Sequence, residues 1–371
     1  MFKPTRKHMR DLGRQLKHAP PLTDISKEDE KLIKQIRVDT SNNNQNNITR
    51  TKAYFDFYQK HPEIHWALLA HLVSRNAGWN MTDIKGEYLP KLLTHKEQVD
   101  FFAFLERGNW LIFQDAYPQL LLYEESKKQK RPLFHLLSQF QVSKFVRPFW
   151  ESFWKQPSSR ELTFALIINE QQYIEGRVVQ DNQYKQTVLD TALFKLQNIF
   201  DFNHILFPYT TPLQKKTKLV GGTVHHFSSV EDRIIFGKGL YDLLFSIQSR
   251  LQQIITWAET HPHTGSRKDF WPMLFNDVKE SAPGQVHELK GSPCSMTEPA
   301  ARIYSPKLTD VWEDWIHRPP EAGDWCTNKK MLHHIKKPIK VLNENIQEVY
   351  CKTIEEIELA AFTKNKFFHK K

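Results

Sequence analysis

The stretch from Arg160 to Val179, RELTFALIINEQQYIEGRVV, constrains the fold most, because its pattern is helical and it is apolar on every side except at its middle. At about 100° per residue, Leu162, Ala165, Leu166 and Tyr173 form one face, and Phe164, Ile167, Ile168, Ile174 and Val178 cover most of the rest. A helix that is hydrophobic all round belongs inside a core. Asn169 and Glu170 therefore enter the core with it. Glu170 is ringed by Leu166, Ile167, Tyr173 and Ile174 at the spacings that meet on a helix. A carboxylate in such a ring needs a partner or a proton.

The remainder of the chain can supply that core. It has 371 residues, 40% of them hydrophobic, with 25 Phe and 10 Trp, enough for one large domain or two modest ones. No apolar run approaches the roughly 18 residues of a membrane span. The N-terminus, MFKPTRKHMRDLGRQLKHAPP, is basic and lacks the apolar centre and small-residue cleavage site of a secretory signal, so a cytoplasmic location is expected. Cys294, Cys326 and Cys351 are odd in number and widely spaced, which fits a reducing compartment and matches neither a disulfide framework nor a CxxC zinc pattern.

The net charge of +10 sits almost wholly on the two ends. Residues 1–20 carry Lys3, Arg6, Lys7, Arg10, Arg14 and Lys17 against Asp11, and residues 364–371 carry Lys364, Lys366, Lys370 and Lys371. Basic ends on a near-neutral body point to an anionic partner, either nucleic acid or the inner face of a membrane. The bland reading is solvated, disordered termini.

Four regions follow from the pattern: a basic N-terminal arm (1–21), a helical domain (22–282), a proline-rich wrapping segment (283–338), and a C-terminal helix with a basic tail (339–371). Within the helical domain, EIHWALLAHLVSRNA is a second helix apolar nearly all round, with Ala67 and Ser74 beside His71 and Arg75. Residues 96–126 are rich in aromatics, with a break expected near Gly108 or Pro118. An amphipathic helix is expected over 184–200, then an irregular stretch from His204 to Phe227. Ser228 followed by Glu231 resembles a capping box, from which a helix runs to about Thr260. The seven prolines of 283–338 exclude long helices there and leave a short one at 308–316. No alternation strong enough for a sheet appears, so the fold class is mostly α: a large irregular helical bundle with a proline-rich, loop-rich C-terminal segment.

Two places suit chemistry. The first joins the polar edges of the two apolar helices, His71, Arg75 and Asn76 on one, Asn169 and Glu170 on the other. An Arg75–Glu170 ion pair is the structural reading; Glu170 as a general base or metal ligand with a shifted pKa in an internal pocket, beside Arg75, Asn169 and His71, is the functional one. The second gathers Lys215, Lys216, Lys218, His225, His226, Ser228, Ser229 and Arg233 near a helix start, a combination that holds anions or phosphate. It lacks P-loop spacing, and Gly237 and Gly239 inside the helical pattern suggest close helix packing or a kink. None of the 17 histidines has metal-ligand spacing, and no GxSxG, GxGxxG or HExxH occurs. No metal site and no cofactor is assigned, and enzymatic activity is left open.

The segments HWALLAHLVSRNAGWNMTDIKG (65–86), LIINEQQYIEGRVV (166–179) and HHFSSVEDRIIFGKGLYDLLF (225–245) resemble the YppC-like family of bacterial proteins, whose function is unknown. The resemblance spans roughly residues 48–330 and implies a bacterial cytoplasmic protein with no established activity or catalytic residues. Two expectations result. One is a non-enzymatic binding protein whose basic ends meet an anionic partner; the other is an enzyme or small-ligand binder with an internal polar site between helices.

Overall fold

The computed structural model describes residues 5–17, 25–190, 204–211, 217–224, 226–280, 302–327, 329–342 and 346–368. The principal helices are α1 (Arg6–Gln15), α2 (Lys27–Asn43), α3 (Asn47–Lys60), α4 (His65–Asp83), α5 (His95–Gln129), α6 (Arg147–Lys155) and α7 (Ser159–Ile174). A hairpin of β1 (His204–Thr210) and β2 (Thr217–Thr223) follows, then α8 (Val230–Phe245), α9 (Gln248–Thr260) and α10 (Ile346–Phe368). The fold is mostly α-helical, as the periodicity requires.

Helices α4 and α7, the two apolar segments, form the centre. Helix α4 packs on α3, α5 and α7, and α7 on α5 and α8. Trp66, Leu68, Leu72 and Trp79 of α4 and Ala165, Ile167 and Ile168 of α7 are all but inaccessible. Helix starts are set by local chemistry: Asn46 and Thr94 open α3 and α5 with reciprocal capping boxes.

Several expectations are corrected. Helix α5 runs unbroken through both Gly108 and Pro118. The roughly 3 kcal/mol cost of an interior proline is overridden by burial of Phe113, Ala116, Tyr117, Leu120 and Leu122 around it. Gly108 opens space instead of breaking the helix, since a Cβ there would meet nothing within 4 Å. The stretch after His204 is an antiparallel hairpin, with His204 opposite Thr223 and Thr210 opposite Thr217. Its glycine pair serves strand contact: a Cβ on Gly221 would lie 1.9 Å from the Ile205 carbonyl oxygen. The helix expected from Ser228 to Thr260 is two helices, split at Ser246–Ile247, where the Arg250 guanidinium donates to the Leu243 carbonyl at 2.9 Å.

The short helix expected at 308–316 ends at Val311, and residues 312–326 run without helix or strand along α5. There Trp312 stacks on Phe102 at 4.0 Å and Arg107 donates to the Arg318 carbonyl at 2.6 Å. Of the helix expected over 184–200, residues 185–189 form a wide π-helical turn, and 191–203 lie outside the described residues. The N-terminal segment holds a docked helix, α1, whose Met9, Leu12 and Leu16 are buried against the body. Cys326 is a buried free thiol, whereas Cys351 is disulfide-bonded, so the thiol count no longer argues for a reducing compartment. No described helix is long and apolar enough to cross a membrane.

Candidate functional site

Five helices, together with Val178 and Val179 after α7, Ile205 of β1 and Val224 and Phe227 before α8, line a partly open chamber of about 240 Å³. Helix α4 lends it one face, Trp66, Leu69, Ala70, Val73, Ala77 and Asn80, at steps of three and four residues. Facing it, α5 contributes Phe104, Leu105, Gly108 and Ile112, and α3 contributes Arg50 and Tyr54. Helix α7 brings Glu170, Gln171 and Ile174, and α8 brings Arg233, Phe236, Gly237 and Leu240. Ala70, Ala77 and Gly108 create the room by what they lack, because larger side chains at these lining positions would occupy it. The walls are mostly aliphatic, and Trp66, Tyr54, Phe104, Phe227 and Phe236 add aromatic rings to them.

Glu170 lies deep in the protein yet keeps accessible surface, because it faces this chamber. Its carboxylate accepts from Trp66 Nε1 at 3.1 Å and from Gln171 Nε2 at 3.2 Å. Burial pushes its pKa up to about 7, and the nearby Asp115 charge adds to the rise. The two guanidiniums of the lining are already neutralised. Arg50 is paired with Glu106, and Arg233 with Glu175 while its Nε donates to Gln171 Oε1 at 2.8 Å. Among the described residues, Glu170 is the lining charge without a counter-charge.

The other residues of the first sequence-derived site do not meet Glu170. Arg75 points away, donating to the His261 carbonyl at 2.7 Å and covering the Trp257 ring at 4.4 Å, with Asp269 at 3.9 Å; the Arg75–Glu170 pair does not form. His71 Nδ1 donates to the Thr51 carbonyl at 2.8 Å, and burial with the Arg75 charge holds it neutral. Asn76 clamps the hairpin, bonding both the N–H and the carbonyl of Leu206 at 2.8 and 2.9 Å. Asn169 donates to Asp115 and accepts from Trp325 Nε1 at 3.0 Å, tying α7 to α5 and to the extended segment.

The second cluster is dispersed as well. Lys215, Lys216 and His225 lie outside the described residues. Lys218 sits in β2 opposite Tyr209, His226 and Ser228 are exposed, and Ser229 is the N-cap of α8, accepting from Asp232 N at 3.2 Å. With Glu231 and Asp232 in its first turn, the positive end of α8 is met by carboxylates of its own. Among the described members, Arg233 alone reaches the chamber. Sequence reasoning missed Trp66, Tyr54, Arg50, Gln171 and Gly108, since lining a chamber and packing a core leave the same helical spacing; only Gly108, unexplained inside an apolar helix, was a usable sign.

This architecture defines an α-helical protein with a largely apolar chamber between its helices that carries one uncompensated carboxylate. The chain belongs to the family described as "Protein of unknown function (DUF2515)", which matches residues 42–345. It is 40% identical over 310 residues to the uncharacterized protein YppC of Bacillus subtilis (strain 168), covering 82% of this chain and 93% of that protein. No solved structure matches.

Proposed function

We propose that the protein binds a small, mostly apolar molecule inside the chamber, with the ligand's polar end at Glu170. The carrying observation is a chamber of about 240 Å³ whose one uncompensated charge is a buried carboxylate. An engineered apolar cavity of about 150 Å³ takes up benzene, so this one has room for an occupant on the order of ten non-hydrogen atoms. Apolar walls supply affinity and a few convergent polar groups supply orientation.

The test uses indole, a neutral aromatic probe of suitable size, with Gly108→Phe as the occluded control. Helix propensity favours the substitution, and its side chain projects into open space. At ten times its Kd, indole stabilises a protein that binds it by about 1.4 kcal/mol, read as a rise in the unfolding midpoint. A rise in the wild type that is lost in Gly108→Phe supports the reading; no rise, or an equal rise in both, refutes it.

A second reading, that the basic ends meet an anionic partner, is favoured by α1. Its apolar side is buried, while Arg6, Lys7, Arg10, Arg14 and Lys17 are all exposed. Lys329 and Lys330, distant in sequence, lie exposed on the turn packed beside it.

A further inference from the structure

We propose that the occupant of the chamber is an organic cation, an amine with an aromatic or alkyl body whose ammonium pairs with Glu170. This inference rests on the ligand-binding reading above and adds the chemical class. It starts from charge balance. A buried carboxylate is normally matched by a cation, and the protein matches Glu106 with Arg50 and Glu175 with Arg233, yet leaves Glu170 with two neutral donors, Trp66 Nε1 and Gln171 Nε2. An ammonium supplies the missing charge.

The walls favour the same class. Trp66, Tyr54, Phe104, Phe227 and Phe236 line the chamber, and the faces of aromatic rings attract cations, the more so when water is excluded. An anionic ligand has no such welcome. Each of the three nitrogens of Arg233 donates to protein, to Gln171, Phe227 and Glu175, and Arg50 is ion-paired with Glu106 and donates to Asn44 with only its buried Nε unpartnered, so an anion would bring a second negative charge to Glu170 without a guanidinium whose charge is uncompensated. A neutral ligand would leave Glu170 as it is, holding its proton near neutrality.

The pairing also fixes a pH signature. Facing Glu170 are Arg50 and Tyr54 from α3, Asp115 from α5 and Arg233 from α8, with Trp66 the neutral neighbour from α4. Burial raises the Glu170 carboxyl to about 7, so below that pH an ammonium must displace its proton. Amine affinity then falls up to about tenfold per pH unit below 7 and is level above it until the amine itself deprotonates.

The experiment is a calorimetric titration of the full chain with three probes of one shape, 2-phenylethylamine, 2-phenylethanol and phenylacetate, at pH 5.5, 6.5 and 7.5. The expected result is that the amine binds at least tenfold tighter than the alcohol at pH 7.5, that phenylacetate binds weakest, and that only the amine weakens on acidification. Glu170→Gln should bring the amine down to the affinity of the alcohol. Because the amine-to-alcohol ratio and its pH dependence are read on the wild type, a Glu170→Gln variant that fails to fold does not block the test. Equal binding of amine and alcohol overturns the cation assignment and leaves the ligand-binding reading standing. Binding of none of the three, together with no response to indole, overturns both.

Discussion

Glu170 on α7 and Asp115 on α5 are both carboxyls raised by burial to about 7, and the Asp115 charge adds to the rise of Glu170. In the unfolded chain both titrate near 4, so between about pH 4 and 7 the native state holds protons that the unfolded state has released. Stability therefore falls as pH rises through that window, by at most about 1.4 kcal/mol per unit for each group, and levels off above it. Urea unfolding at pH 5, 6.5 and 8 should show the decline, and Glu170→Gln and Asp115→Asn should each flatten it; a slope unchanged in both variants would mean that neither carboxyl is raised. That Glu170 is buried was legible from its ring of apolar neighbours. Its partner was not. Trp66 and Arg75 are nine residues apart on α4, which puts them half a turn apart, on opposite faces. Only one of them can look at α7, and the spacing alone does not say which.

Between elements, the Arg50–Glu106 pair ties α3 to α5 with both residues at 2% exposure or less. Burial, the largest single influence, would raise Glu106, but the Arg50 charge and hydrogen bond together with His317 Nε2 at 3.4 Å outweigh it and hold this carboxyl below its usual range. Arg50→Met strands that charge and should cost about 3–5 kcal/mol in denaturant titrations. Adding Glu106→Gln should recover part of the loss, and strictly additive effects would show that the two side chains are uncoupled. Most helices were readable because apolar spacing is local, whereas the caps at Asn46 and Thr94 emerge only in the structure. What misled was punctuation. Gly108 and Pro118 normally mark breaks, yet here one opens the chamber and the other is carried by packing. The β1–β2 hairpin was hidden because its pairing depends on a close approach at Gly221 and on the Asn76 clamp, neither of which leaves a period-two pattern.

For the whole molecule, what matters is that the basic N-terminal charge is presented from a fixed platform. Thr5 caps α1, Met9, Leu12 and Leu16 anchor it, and a Cβ on Gly13 would lie 3.7 Å from Leu332 and Lys329, so the helix rests on a turn that brings Lys329 and Lys330 alongside. The steps of four and three from Arg6 to Arg10, Arg14 and Lys17 place these charges along one exposed stripe, with Asp11 bonded to Arg14 at 3.3 Å as the nearest offset. With its apolar side already spent on the body, α1 has no face left to insert among lipid chains, so on the reading that the basic ends meet an anionic partner charge alone would hold it. A nucleic acid duplex should then bind with log K falling steeply against log salt concentration. Replacing Arg6, Arg10 and Arg14 together by Glu should lower that slope by about 3, at about 0.9 for each phosphate that is no longer neutralised, while leaving stability within about 1 kcal/mol, since all three are exposed. Binding that ignores salt, or that survives the triple charge reversal, would remove α1 as the binding surface. Tighter binding to anionic vesicles than to the duplex would instead assign the stripe to a membrane surface.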